Sequence, residues 1–214
     1  MDAFHEMLIG DNRQLLEKVW NHPFVARIAS GTLPEEDLHR HLSQTYLFLR
    51  NYEQILCQLA VRAPESLGRS VLGSLHSIRG SMELFEELVA RTVSNLMNTR
   101  MSFACHAYAH FMLASAHVRS FEESIVACYG SDYASLRTWL RLGQEQSHAG
   151  VLKDIAALLN QPGFATWLND LAGFIDRAAE TASPQRRLLM AEMFPIPIHY
   201  LMRYLDGLLA KADW

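Results

Sequence analysis

Apolar residues recur at intervals of three and four along nearly the whole chain, and alternation with period two is nearly absent. A period close to 3.6 belongs to amphipathic helices, so the pattern predicts an all-α protein. The first helix covers roughly 11–30 and stops at Gly31, a residue that tolerates the left-handed C-cap conformation. The run Thr32-Leu-Pro-Glu-Glu reopens a helix: Thr32 serves as N-cap, Pro34 suits a first turn, and the two glutamates favour the positive end of the dipole. This second helix reaches about Arg62, where Pro64 separates it from a third over about 65–93. A fourth follows at 101–118. A fifth spans 121–159 with an interruption at Tyr129-Gly130-Ser131-Asp132, a sixth spans 163–182, and Ser183-Pro184 opens a seventh that ends near Lys211. Pro195 and Pro197 predict a kink in the last. No linker, low-complexity segment or fixed-period repeat divides the chain, so 1–214 is read as one domain.

Composition narrows the class. A chain of 214 residues, 50% hydrophobic and 20% charged, can bury one substantial core and is not dominated by disorder. Its net charge of -4, with no basic cluster longer than Arg186–Arg187, leaves no footprint for a nucleic-acid backbone. Cys57, Cys105 and Cys128 are odd in number and lack any Cys-x-x-Cys, so neither a disulfide framework nor a thiolate zinc site is signalled. The first residues lack a basic n-region, and no run of about 18 apolar residues occurs. A cytoplasmic protein without a membrane partner is expected. Ten histidines are the count that stands out.

Candidate chemistry comes from polar residues on stripes that periodicity makes apolar. Leu42, Tyr46, Leu49, Glu53, Leu56 and Ala60 share a face, so Glu53 interrupts a buried row. It either reaches solvent or an arginine, or faces a cavity as acid, base or ligand. The fourth helix is nearly uncharged and reads as central, with His106, His110 and His117 on one face. A His-x-x-x-His pair can offer two imidazoles to one metal, or be satisfied by backbone and water. Arg141, Glu145 and His148 begin a stripe that continues as Leu152, Ile155 and Leu159. His76, Arg79, Glu83 and Glu86 flank an apolar row, as a solvated face or as ligand material of the kind that bundles use for di-metal sites.

The runs Trp20–Leu38 and His41–Leu49, with Met190–Tyr200 and the closing Trp214, resemble the TenA/PqqC family, which has the haem-oxygenase-like fold. The resemblance implies a single-domain bundle of about seven to eight helices around a pocket for a small substrate, and a homodimer or homotetramer. TenA thiaminases use an Asp in a Gln-Asp-Tyr motif, a Cys nucleophile and a Glu in the last helix. Here the motif reads Gln44-Thr45-Tyr46, Leu201 stands at the Glu position, and Cys128-Tyr129 resembles the Cys-Tyr pair.

The oxygen-using branch carries ligands at spacings that Arg141, Glu145 and His148 resemble, while His76-x6-Glu83 resembles a ligand pair in inverted order. A middle-helix Glu has become Ala109 beside His110. Three readings follow. The first is an oxidoreductase on an amine- or carboxylate-bearing substrate, iron-dependent or PqqC-like and metal-free. Its metal ligands come from His76, Glu83, His110, Glu145 and His148 with Fe(II) as the cofactor, its substrate contacts from Arg141, Gln44 and Tyr108, and its catalytic groups from Glu53, Cys128 and Tyr46. The second is a TenA-type aminopyrimidine hydrolase without a metal, with Cys128 as nucleophile and Glu53 in place of the missing carboxylate. The third is a ligand-binding homologue without catalysis.

Overall fold

The computed structural model describes residues 3–94, 96–144, 151–159 and 162–212. The all-α expectation holds: no strand occurs among the described residues. In chain order the helices are α1 (Phe4–Asp11), α2 (Arg13–Trp20), α3 (Pro23–Ala29), α4 (Glu35–Arg62), α5 (Glu65–Thr92), α6 (Phe103–Val118), α7 (Phe121–Gln144), α8 (Val151–Leu159), α9 (Pro162–Thr181), α10 (Pro184–Met193) and α11 (Pro195–Leu209). These segments outnumber the seven to eight expected partly because local punctuation cuts the ends of the chain, and partly because the expected 121–159 helix is described as α7 and α8. Asn12, at φ -107°, separates α1 from α2, and its side-chain amide donates to the Leu8 carbonyl at 2.9 Å. Pro195 and Pro197 remove two N–H donors where α10 meets α11, as the kink expectation required.

Of the predicted caps, Gly31 and Ser183 are found, while Thr32 is not one: α4 opens at Pro34 with no side-chain cap, and the Thr32 hydroxyl pairs with Ser30 at 2.8 Å. Gly31 has φ +66°, and Ser183 accepts from the Arg186 N–H at 3.3 Å. Ser102 caps α6 in the same way through Cys105 N at 3.4 Å. At α3 the cap is His22, whose Nδ1 accepts from Phe24 N at 3.2 Å while Nε2 lies 3.2 Å from Asp206 of α11. One buried imidazole thus ends one helix and ties it to another.

The interruption expected at 129–132 is absent, and α7 runs straight through. Gly130 is there for clearance. A Cβ at this position would lie 2.3 Å from the Phe194 carbonyl oxygen, so the missing side chain lets α7 press against the α10–α11 break.

Six long helices close a ring by successive contact: α4 with α5, α5 with α9, α9 with α7, α7 with α11, α11 with α6, and α6 back to α4. Helices α2 and α3 pack against α7 and α11. The apolar faces of the ring point inward, with Leu42, Ile55, Met82, Met112, Ile125 and Trp167 fully buried. No described helix is long and apolar enough to cross a membrane.

Candidate functional site

The ring surrounds a cavity of about 150 Å³, to which every ring helix contributes. Its wall is mainly apolar and aromatic, with rings supplied by Phe24, Phe48, Phe85, Trp139, Phe164 and Trp167. The volume matches an engineered protein cavity of about 150 Å³ that takes up benzene, so a single ring fits. Polar side chains gather at two places on the wall.

At the first, Asp132 of α7 is buried and receives donors from two other helices. The Tyr52 hydroxyl of α4 donates to Oδ2, and the Trp167 indole N–H of α9 donates to the same oxygen at 2.7 Å. The Ser131 side chain also hydrogen-bonds Asp132, and Tyr108 Oη lies 2.6 Å from Ser131 Oγ. Burial raises the Asp132 carboxyl from 3.8 to about 6, against the lowering effect of those donors. Tyr52 and Tyr108 are pushed upward in turn, chiefly by burial.

At the second place, His41 of α4 stacks on Trp139 with centroids 5.5 Å apart and meets the edge of Phe24 at 5.4 Å. Its Nδ1 lies 2.8 Å from Tyr204 Oη, and the Tyr204 hydroxyl donates to the His41 carbonyl at 3.2 Å. Burial lowers the His41 pKa to about 4, so the imidazole is neutral near pH 7. By helical rise this group stands about 16 Å from Tyr52 along α4. Trp139 stands about 10 Å from Asp132 along α7, so the two polar groups occupy opposite ends. No Lys or Arg is among the described residues that line the cavity.

The residues singled out from sequence distribute unevenly around this site. Tyr108 lines the cavity. Thr45 and Leu201, at the positions where the resemblance places carboxylates, line it too and carry none. Cys128 is buried, but it does not contribute to the wall; its thiol partners Tyr52 and is pushed upward by burial and by Asp132. Gln44 is structural. Its amide donates to the Arg100 carbonyl and accepts from Ser102 N, both at 2.8 Å, which clamps the turn before α6. Tyr46 is half-buried and accepts from Arg50 at 3.1 Å, away from the cavity wall.

Of the two readings of Glu53, the one in which it reaches solvent and an arginine is found, and the catalytic one is not. The buried row of α4 runs through Leu38, Leu42, Tyr52, Leu56 and Leu59, so Tyr52 takes the inward place and Glu53 is exposed, 3.5 Å from Arg79. Arg79 also meets Glu83 at 3.2 Å and Glu86 at 3.3 Å, as on a solvated face. His76 and Glu83 of α5 and His110 of α6 are all exposed. The outer face of α6 is open rather than central, and His110 stacks there on His106 at 3.8 Å. Arg141 is exposed, with its guanidinium 5.3 Å from the Trp20 ring centroid, outside the cavity. Glu145 and His148 lie outside the described residues. No group of three His, Cys, Asp or Glu side chains among the described residues could hold a metal ion, so His76, Glu83 and His110 do not fit a shared iron site.

Asp132, Tyr52, Trp167 and His41 do not stand out in the sequence. Asp132 falls in the segment that reads as a helix break. Taken as continuous helix, Cys128 and Asp132 lie one turn apart on one face, and that spacing is the signal that points to the carboxylate. His41, near a helix start, gives none.

Solved structures resemble the chain over nearly its full length. A TenA homologue from Pyrococcus furiosus superposes with a TM-score of 0.87 at 20% identity, covering 96% of this chain and 99% of its own. A protein from Sulfolobus solfataricus P2 named as a TenA-like thiaminase gives 0.77 at 16% identity, with 100% and 99% covered. A Shewanella denitrificans domain of unknown function with a haem-oxygenase-like fold gives 0.70 at 12% identity, with 99% and 93% covered. At these identities the likeness establishes the fold. The model of the TENA/THI-4/PQQC family matches residues 11–211, and with the helical ring and its central cavity this places the chain as a member of that family.

Proposed function

We propose that the protein hydrolyses a carbon–nitrogen bond in a small, amine-bearing, single-ring compound held in the central cavity, a TenA-type activity. The observation that carries this reading is the lining of the cavity: aromatic walls, room for one ring, one carboxyl and no described cation. A carboxylate or phosphate on the substrate would be buried there without a counter-charge, at a cost of several kcal/mol. An amine finds Asp132. The likeness to a protein named as a TenA-like thiaminase supports the same class.

Water is the nucleophile in this reading, because Cys128 is absent from the cavity wall and its thiol is held protonated by burial. The oxidative reading has less support, since its described ligands are exposed on α5 and α6 and Arg141 is outside the cavity.

The test is ammonia release from aminomethyl-aminopyrimidine and other single-ring amines, beside the same rings bearing carboxylates. Turnover confined to amines, and retained in Cys128→Ala, is expected. Loss of turnover in that variant would restore the covalent route. Amine binding without ammonia release would mark a binding protein, and oxygen consumption that requires added Fe(II) would replace hydrolysis with oxidation.

A further inference from the structure

We infer that Asp132 is the catalytic residue that moves protons in this cavity, taking one from the attacking water and delivering it to the departing nitrogen. The inference rests on the amine-hydrolysis reading above. Asp132 is the one carboxylate among the described residues of the wall. Tyr52 and Trp167 both donate to Oδ2, which fixes the carboxyl from two helices; Oδ1 receives neither of these donors, and Ser131 is the carboxyl's remaining side-chain partner.

The step balances without an oxidant. The water oxygen bonds to the carbon bearing the amine, its proton passes to Oδ1, and the C–N electron pair returns to nitrogen. Oδ1 then gives the proton to that nitrogen. Ammonia leaves, and a hydroxyl replaces the amine.

The surroundings suit a carboxyl that works in both directions. Its pKa of about 6 lies close to neutral pH, the range in which an acid–base group both takes and gives a proton effectively. The groups around it add no charge at that pH. Tyr52 from α4, Tyr108 from α6, Tyr204 from α11 and Cys128 from its own helix are all raised by burial, and Trp167 from α9 is a neutral donor. His41, at the far end, is lowered to about 4. The contributions of α2, α3 and α5 to the wall are apolar.

Two measurements on the full chain decide the matter. In steady-state kinetics, Asp132→Asn lowers kcat by about 100-fold or more with a smaller change in KM, and removes an inflection near pH 6 that Asp132→Glu restores. Trp167→Phe, which deletes one donor to the carboxylate, moves that inflection to higher pH, as a purely structural role would not. Turnover in Asp132→Asn within tenfold of the parent, with the inflection kept, overturns the inference and leaves the hydrolase reading standing. In calorimetry with benzylamine at pH 5.5, in two buffers of different ionisation enthalpy, binding releases protons from the parent and none from Asp132→Asn. Should the parent release no ammonia from any amine, the hydrolase reading falls and calorimetry alone judges Asp132. Proton release that persists in Asp132→Asn, or is absent in the parent, overturns its role.

Discussion

At the scale of single residues, two of the cavity's titratable groups, Asp132 and His41, titrate below neutral pH and are displaced by folding in opposite directions. Asp132 rises from 3.8 to about 6. Between those values the folded chain keeps a proton that the unfolded chain has lost, so this stability is complete below 3.8 and falls as the pH climbs to 6. His41 drops from 6.5 to about 4. There the unfolded chain binds a proton that the folded chain refuses, so its contribution is complete above 6.5 and disappears as the pH falls toward 4. Each is worth about 3 kcal/mol, and between pH 4 and 6 the two nearly cancel. Urea midpoints should therefore vary little with pH in the parent, rise with pH in Asp132→Asn and fall with pH in His41→Gln. Parallel profiles for all three proteins would refute the displacement of both groups.

The helical element shows how one residue type can mean two things. Gly130 sits inside α7 and reads as a helix breaker, yet its role is set by the Phe194 carbonyl that touches it from another helix. Gly73 lies inside α5, exposed, with nothing within 4 Å of a built Cβ. The same change should have opposite effects at the two sites. Gly73→Ala gains helix propensity of up to about 1 kcal/mol. Gly130→Ala makes the same gain but forces α7 off the α10–α11 break, for a net loss of about 1–3 kcal/mol, and displaces Asp132 with it. Thermal unfolding of both variants checks the signs, and equal shifts would disprove the close approach. Helix α4 carries a related lesson: a 4-3-4 spacing drawn through Glu53 and one drawn through Tyr52 are both helical, and only the packing of α5 and α6 on either side decides which row is buried.

At the scale of the whole molecule, the ring of six helices makes the cavity a property of all of them, so ligand binding should stabilise the entire fold. At a hundred times its Kd a ligand specific to the folded state adds about 2.7 kcal/mol. For a chain of this size that corresponds to a rise in Tm of about 5–10 °C. A single-ring amine should produce this shift. The same ring with a carboxylate in place of the amine should not, because no described cation lines the wall. Equal stabilisation by both compounds would show that the cavity does not discriminate by charge.

Sequence alone determined what depends on neighbours along the chain. The helical period, the caps at Gly31 and Ser183 and the kink near Pro195 follow from backbone and side-chain chemistry within a few residues, and all appear in the structure. The family was legible too, through the runs near both ends. The candidate site was legible only in part: Tyr108 lines the cavity, while Gln44 is held by Arg100, Tyr46 by Arg50 and Glu53 by Arg79, all off the cavity wall. Tertiary structure alone decided that Asp132 meets Tyr52 and Trp167, which lie 80 and 35 residues away. Periodicity gives the face of a helix to within a residue, which is about 100° of rotation, and a carboxylate becomes an acid in a cavity or an ion in water within that margin.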